Sequence, residues 1–358
     1  MAPELFLDGN AGEPLRPDAR AAALAAMDLP GNPASVHTAG RAARRVLEAA
    51  RDACAARLGA RPADVTFTSG ATEANALAIH ALGRGRRLLA GATEHPSVLA
   101  ANPDRLPVGR DGVLDLDALE AALRVGPPAL VCVMAANNET GVLHPLEAVA
   151  ETCRRHGALL HVDAVQAAGR VPLALVGDSL AVSGHKLGAP KGAGALVTRP
   201  GLDIPPLVPG GGQERGRRGG TEPLPAIAGL GAAMAAADPA EAAHLAALRD
   251  AIEAGCIAQG ARIAGAAAPR LPNTACILLP GVPAETQVIA LDLAGVRVSA
   301  GSACSSGRVA RSHVLEVMGL EAGCAIRVSL PWNAAPDAAE RFLEAWSAMR
   351  ARLSRRAA

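Results

Sequence analysis

Leu180-Ala181-Val182-Ser183-Gly184-His185-Lys186 is an apolar run that ends among small and hydrogen-bonding residues, with a lysine as its last member. A lysine there is poorly placed as a solvated surface charge and well placed as an amine, because desolvation lowers its pKa and a neutral amine is a nucleophile. A second apolar run, Ala158-Leu159-Leu160-His161-Val162, closes on Asp163, with Gln166 just after it. An aspartate in that position needs a cationic partner if it is to stay charged. One cofactor asks for both groups. Pyridoxal phosphate (PLP) forms a Schiff base with a lysine and needs a carboxylate opposite its ring nitrogen. Each residue also has an ordinary reading, Lys186 as a surface residue after a strand and Asp163 as a helix cap or turn residue.

Around this stretch the chain alternates. Strand-like runs at 87–90, 129–134, 158–162, 179–182 and 194–198 are separated by helical patterns near 116–123 and 146–156. Continuous apolar strands alternating with helices predict an α/β fold with a mostly parallel sheet covered on both faces. Ligands of such sheets collect at the carboxyl ends of the strands. Thr93-Glu94-His95, Asn137-Asn138-Glu139-Thr140-Gly141, Asp163 to Gln166 and Ser183 to Lys186 all fall at or just after a strand's end. Upstream, apolar spacing predicts a helix over 41–58, stopped by Gly59. Val65-Thr66-Phe67-Thr68 predicts a short strand running into Ser69-Gly70-Ala71-Thr72-Glu73-Ala74-Asn75, a small-residue turn that opens a helix. Free N–H groups at such a helix start make an anion site, although ordinary helix caps use the same residues.

Residues 8–17 read as a turn-rich opening and 205–220, rich in Gly, Pro and Arg, as a loop. Beyond Asp238 the pattern changes to a long helix over 241–259, strands at 274–279, 296–299 and 325–330, and helices at 286–294, 308–318 and 337–353. The expected organisation is a large domain over 13–238 and a smaller α+β domain built from 1–12 and 239–358.

Half of the 358 residues are hydrophobic, 19% are charged and the net charge is +1, so there is no general pull toward nucleic acid or membrane. The Gly/Arg loop lacks the interleaved aromatics of a nucleic-acid segment. The start has no basic region followed by an apolar core, and no stretch approaches the ~20 apolar residues of a membrane span, so a cytoplasmic protein is expected. The seven cysteines are irregularly spaced without a CxxC pair, against a disulfide framework or a zinc site.

Thr68-Ser69-Gly70-Ala71-Thr72-Glu73, Thr93-Glu94-His95, Asn137-Asn138-Glu139-Thr140-Gly141, His161-Val162-Asp163-Ala164-Val165-Gln166, Ser183-Gly184-His185-Lys186 and Ser302-Ala303-Cys304-Ser305 together resemble the cysteine desulfurases of the NifS and IscS type. That family lies within the class V aminotransferase superfamily, and the likeness runs from about Leu7 to Leu330 with the motifs in family order. It implies the PLP-dependent transferase fold of type I, with a mostly parallel sheet flanked by helices in the large domain. It implies that Lys186 is the Schiff-base lysine and proton carrier, that Asp163 holds the ring nitrogen protonated, and that Gln166 hydrogen-bonds the phenolic oxygen. His95 would stack on the ring and act as an acid or base. Ala71, Thr72, Ser183 and His185 would hold the phosphate, joined by Thr221 from the other subunit of a homodimer. Asn138 would sit near the cofactor and substrate, and Arg327 would pair with the substrate carboxylate, where its ordinary reading is a buried structural ion pair. Cys304, in a run of small residues expected to be mobile, would attack the sulfur of L-cysteine, leaving alanine and a persulfide for an acceptor protein in iron-sulfur cluster assembly or tRNA thiolation. No metal is implied.

Two departures stand out. The family usually continues after Asp8 through Asn-Ala-Thr-Thr-Pro, where this chain has Asn10-Ala11-Gly12-Glu13-Pro14. The chain also ends at Ala358, soon after its last helix, so contact with a scaffold protein through a longer tail is not implied. Selenocysteine lyase or another class V aminotransferase is the competing enzyme reading. A non-catalytic subunit that keeps the fold is the competing reading from outside enzymology, disfavoured by Lys186, Asp163, His95, Cys304 and Arg327 standing together.

Overall fold

Ala129–Met134 is a run of six residues, all buried, and such a strand needs cover on both faces of its sheet. The computed structural model describes residues 4–301 and 311–357. A two-residue strand β1 (Leu5–Phe6) precedes helices α1 (Pro17–Met27) and α2 (Thr38–Leu58). Then follow β2 (Val65–Thr68), α3 (Ala71–Leu82), β3 (Arg87–Gly91), α4 (Pro96–Leu99), β4 (Asp104–Leu106), α5 (Leu116–Leu123) and β5 (Ala129–Met134). The same region closes with α6 (Leu146–Arg155), β6 (Leu159–Asp163), β7 (Ser179–Ser183), β8 (Gly194–Thr198) and α7 (Leu224–Ala236).

These strands make one seven-stranded sheet in the order β2-β8-β7-β6-β5-β3-β4. Only β8 runs antiparallel to its neighbours, so the sheet is mostly parallel, as the alternation predicts. One face packs under α1, α2 and α7 through Leu47, Phe67, Leu160, Val182 and Ile227. The opposite face carries α3 through Leu77, Leu82, Leu130 and Leu196. Because β3, β5, β6 and β7 point the same way, Glu94-His95, Asn137-Asn138, Asp163 and Ser183 emerge along one edge.

The remaining elements are α8 (Pro239–Ile257), β9 (Arg262–Ile263), β10 (Thr274–Leu278), α9 (Ala284–Leu293), β11 (Val296–Arg297), β12 (Ser299–Ala300), α10 (His313–Val317), β13 (Ala325–Ser329) and α11 (Ala338–Ala357). β12-β13-β10-β9 form an antiparallel sheet, and β1 pairs in parallel with β11. Leu5 and Leu7 share a core with Ile252, Ile277, Ile326, Phe342 and Trp346, so the first strand packs with the last third of the chain.

The single strand expected over 296–299 is two strands, because Val296–Arg297 pairs with β1 and Ser299–Ala300 with β13. The helix expected over 308–318 is described from His313 to Val317, capped by Ser312, which accepts from Leu315 N; residues 308–310 lie outside the described residues. Helices α1 and α7 were not legible as periodic patterns, since alanine dominates both and their polar and apolar faces differ little.

Gly194 lies where the edge of the sheet must come closest to the turn before α3. A Cβ there would sit 2.6 Å from Val182 O and 2.7 Å from Gly70 Cα. Gly194→Ala is therefore expected to destabilise the protein by roughly 1–3 kcal/mol, read as a lower denaturant midpoint. An unchanged midpoint would show that this approach is not constrained.

Candidate active site

At the end of β2 the chain turns through Gly70 at φ 157° and ψ −179°, a combination essentially confined to glycine. No side chain caps α3 there, which leaves the first N–H groups, those of Ala71 and Thr72, without an intrahelical partner. A Cβ on Gly70 would project to within 3.7 Å of Ser183 Oγ. Ser183 Oγ is in turn 3.0 Å from His185 Nδ1 in a hydrogen bond. Burial first, with Lys186 and Lys191 adding, pushes the His185 imidazole down to about 4. A glycine cradle, an uncapped helix start, a hydroxyl and a neutral imidazole are a donor set that fits a phosphate. Glu73 braces the turn, accepting from Ser69 N at 2.8 Å and pairing with Arg218 at 2.9 Å. Thr221 is exposed and has no hydrogen bond to this cluster among the described residues.

Lys186 ends a one-turn 3-10 helix after β7 and is half-buried. Its Nζ donates to the carbonyls of Asn10 (2.5 Å) and Ala11 (3.0 Å), so the amine is held against the opening segment. Gln166 Nε2 donates to the same Asn10 carbonyl at 3.0 Å, while its Oε1 accepts from Arg170. Asp163 is buried. Its Oδ2 accepts from Asn75 Nδ2 at 2.7 Å and its Oδ1 from Val165 N at 3.1 Å, neither of which cancels a full charge. A protonated ring nitrogen would. His95 caps α4, its Nδ1 accepting from Ser97 N at 3.1 Å. Burial chiefly lowers its pKa, with Lys186 and His313 adding and Asp163 opposing. Lys186, Asp163, His95, Ser183 and His185 thus share one rim of the sheet, and their groups match PLP.

Arg327 is buried on β13, and its Nη2 pairs with Asp8 Oδ1 at 2.7 Å while Nη1 donates to Asn138 O at 3.1 Å. The ordinary reading of this arginine, a buried ion pair, is present in the structure. Asp8 is the more exposed partner, so a carboxylate arriving from solvent could exchange with it. Asn138 contributes its backbone carbonyl to both Arg327 and Asn10 Nδ2.

Several residues of the site were not singled out in the sequence. Asn10 is fully enclosed and bridges Asn138, Thr274, Ser329 and Asn273. The departure at Glu13 has a structural role, for its carboxylate pairs with Arg170 at 2.9 Å and accepts from Trp332 N at 3.1 Å. Glu94 is buried behind His95 with Oε1 accepting from Met134 N and Oε2 lacking a partner among the described residues; burial pushes its carboxyl well above the usual range. The signal available for Asn75 and Glu94 was a polar side chain on an otherwise apolar helix face or strand end.

Cys304 lies outside the described residues. Its flanks do not. Ser299 and Ala300 pair with Arg327 and Ile326, Ser312 Oγ donates to Glu139 Oε2 at 2.5 Å, and His313 Nε2 donates to Glu94 O at 3.1 Å. Cys54, Cys132, Cys153, Cys256, Cys276 and Cys324 are all buried, and burial pushes Cys54, Cys153 and Cys256 up to about 12 and Cys324 up to about 11.

The family model for class V aminotransferases matches residues 5–342. A cysteine desulfurase of Cereibacter sphaeroides is 43% identical, over 95% of this chain and 94% of that one. A cysteine desulfurase of a Nostoc species is 40% identical over 88% and 84%. The solved structure of a NifS-like protein from Rickettsia africae aligns with a TM-score of 0.91 at 32% identity, covering 97% of this chain and 99% of that one.

A thiol present as thiolate reacts, and a buried protonated one does not. In a Cys304→Ser variant the native protein is expected to give no fast reaction with a thiol reagent at neutral pH, and to titrate six thiols after denaturation. Fast modification of any of the six in the folded variant would contradict the burial argument.

Proposed function

The chain belongs to the class V aminotransferase family and, within it, to the cysteine desulfurases, and we propose that its desulfurase site is the edge where Lys186, Asp163 and His95 meet, with Cys304 as the sulfur acceptor. It is a PLP-dependent enzyme that takes sulfur from L-cysteine and releases L-alanine. When bound, PLP supplies an electron sink beside the amine-bearing carbon of the substrate.

The chain's own residues do the rest. Ala71, Thr72, Ser183 and His185 would hold the phosphate, with Thr221 supplied by a second copy of the chain in a homodimer. Asp163 would keep the ring nitrogen protonated, and Gln166 would donate to the phenolic oxygen from the amide that meets Asn10 O. Lys186, whose Nζ donates to two backbone carbonyls, would anchor the cofactor and carry a proton to and from the substrate carbon. Arg327 pairs bidentately with the substrate carboxylate in exchange for Asp8, and Asn138 borders the substrate. The Cys304 thiolate attacks the substrate sulfur: an S–S bond forms, the C–S bond breaks with its electron pair going to carbon, and that carbon is protonated. The persulfide is then passed to an acceptor protein. Residues 13–238 serve as the cofactor-binding domain in this scheme, and 1–12 with 239–358 carry the sulfur-accepting segment.

One observation carries the assignment of Cys304. Both flanks of its segment are tied to the site, Ala300 beside the arginine strand and His313 to the backbone of Glu94, next to His95. The six described thiols are buried away as protonated groups.

Wild-type protein given L-cysteine and a reductant is expected to release alanine and sulfide in equal amounts. Lys186→Ala should lower turnover by at least about a thousandfold. Cys304→Ser should keep the cofactor's visible band, since the cofactor's partners are elsewhere, yet carry no persulfide by mass spectrometry. Persulfide on another cysteine, or undiminished turnover in either variant, would contradict the proposal.

A further inference from the structure

The polar groups behind the site form one chain whose hydrogen-bond directions are fixed by chemistry. Asp163 Oδ2 is a carboxylate oxygen, so the atom of Asn75 facing it at 2.7 Å is the amide nitrogen. The same NH₂ reaches Ser97 Oγ at 2.9 Å. The amide oxygen of Asn75 therefore faces His161 Nε2 at 2.9 Å, which makes that nitrogen the protonated one. His161 is fully buried and its pKa falls to about 3, so it is a neutral ring with one N–H, and its Nδ1 accepts from Ser179 Oγ at 2.8 Å.

On the other side, Ser97 Oγ receives one hydrogen from Asn75 and lies 2.8 Å from His95 Nδ1. Nδ1 already accepts the backbone N–H of Ser97. It cannot also carry a proton in that geometry, so the serine hydroxyl donates to it. A neutral His95 must then hold its single proton on Nε2, on the side away from Ser97.

We propose that Asn75 is a positioning residue of the desulfurase site: it holds Asp163 and, through Ser97, fixes neutral His95 as the Nε2–H tautomer. His95 in the resting site is then a hydrogen-bond donor, with no lone pair at Nε2 to act as a base until the Nε2 proton has left the ring. This inference rests on the reading of Asp163 and His95 as cofactor neighbours, but the tautomer can be read without turnover.

The test is nitrogen-15 NMR of histidine-labelled full-length holoenzyme, with His95 identified among the nine histidines by a His95→Gln control. The wild type is expected to give a pyridine-type Nδ1 and a pyrrole-type Nε2. Asn75→Leu removes all three bonds of the amide at similar volume and should lower the Nε2–H to Nδ1–H ratio by up to about tenfold, the worth of one hydrogen bond. It should also shift the cofactor's absorbance band, because Asp163 loses a donor. If that variant does not fold, Ser97→Ala, which cuts only the link to His95, should lower the ratio and leave the band in place. Nδ1–H in the wild type, or unchanged nitrogen shifts in the folded variants, would overturn the proposal while leaving the desulfurase reading intact. A wild type without a cofactor band would contradict that earlier reading, and the nitrogen shifts would still decide the tautomer.

Discussion

A carboxylate at the end of a buried parallel strand has to be compensated, and Asp163 sets the terms for everything around it. Its fold position is forced: β6 lies between β5 and β7 in the sheet, so its last residue cannot turn to solvent. Two N–H donors reach it, which satisfies lone pairs without neutralising charge. A cation arriving at that point would supply the missing charge. His95, His161 and His185 are all held below the ordinary imidazole range, by burial first.

The second constraint is the opening segment. Residues 8–14 run between the two hydrophobic bodies, with Asp8 on Arg327, Asn10 on Thr274 and Asn138, and Glu13 on Arg170 and the backbone of Trp332. These are side chains from distant parts of the sequence, all buried or nearly so, and each would leave an unsatisfied partner if the strap moved. Lys186 and Gln166 both donate to the Asn10 carbonyl, so the segment that joins the bodies also holds the Lys186 amine. The Gly12-Glu13 departure from the family pattern is explained by this packing. Glu13 supplies the carboxylate that Arg170 needs, and Gly12 lies over the His185 ring, where a Cβ would be 3.8 Å from Cδ2.

Asn75 illustrates how a residue inside a helix can serve the opposite strand. It lies on the buried face of α3, and in an alanine- and leucine-rich helix that position would ordinarily be apolar. Its amide is spent on three partners from three elements, Asp163, Ser97 and His161. A fully satisfied network of this kind is directional as well as stabilising, because every donor and acceptor is assigned.

How much of this was legible beforehand follows from range. Strand alternation, the mostly parallel sheet and the rim carrying His95, Asp163, Ser183 and Lys186 depend on local geometry, since side chains at strand ends of parallel strands must emerge on one side. The sequence alone therefore determined the α/β class, the placing of Lys186 and Asp163 at strand ends on one rim, and the resemblance that names the reaction. The separation of 296–299 into two strands, the bridging role of Asn10, the Arg327–Asp8 pair and the relay through Asn75 were decided only by the tertiary structure. Each joins residues remote in the chain, 319 positions apart for Arg327 and Asp8 and 88 for Asn75 and Asp163. No periodicity records such a pairing, because it exists only after two independently patterned segments have packed against each other.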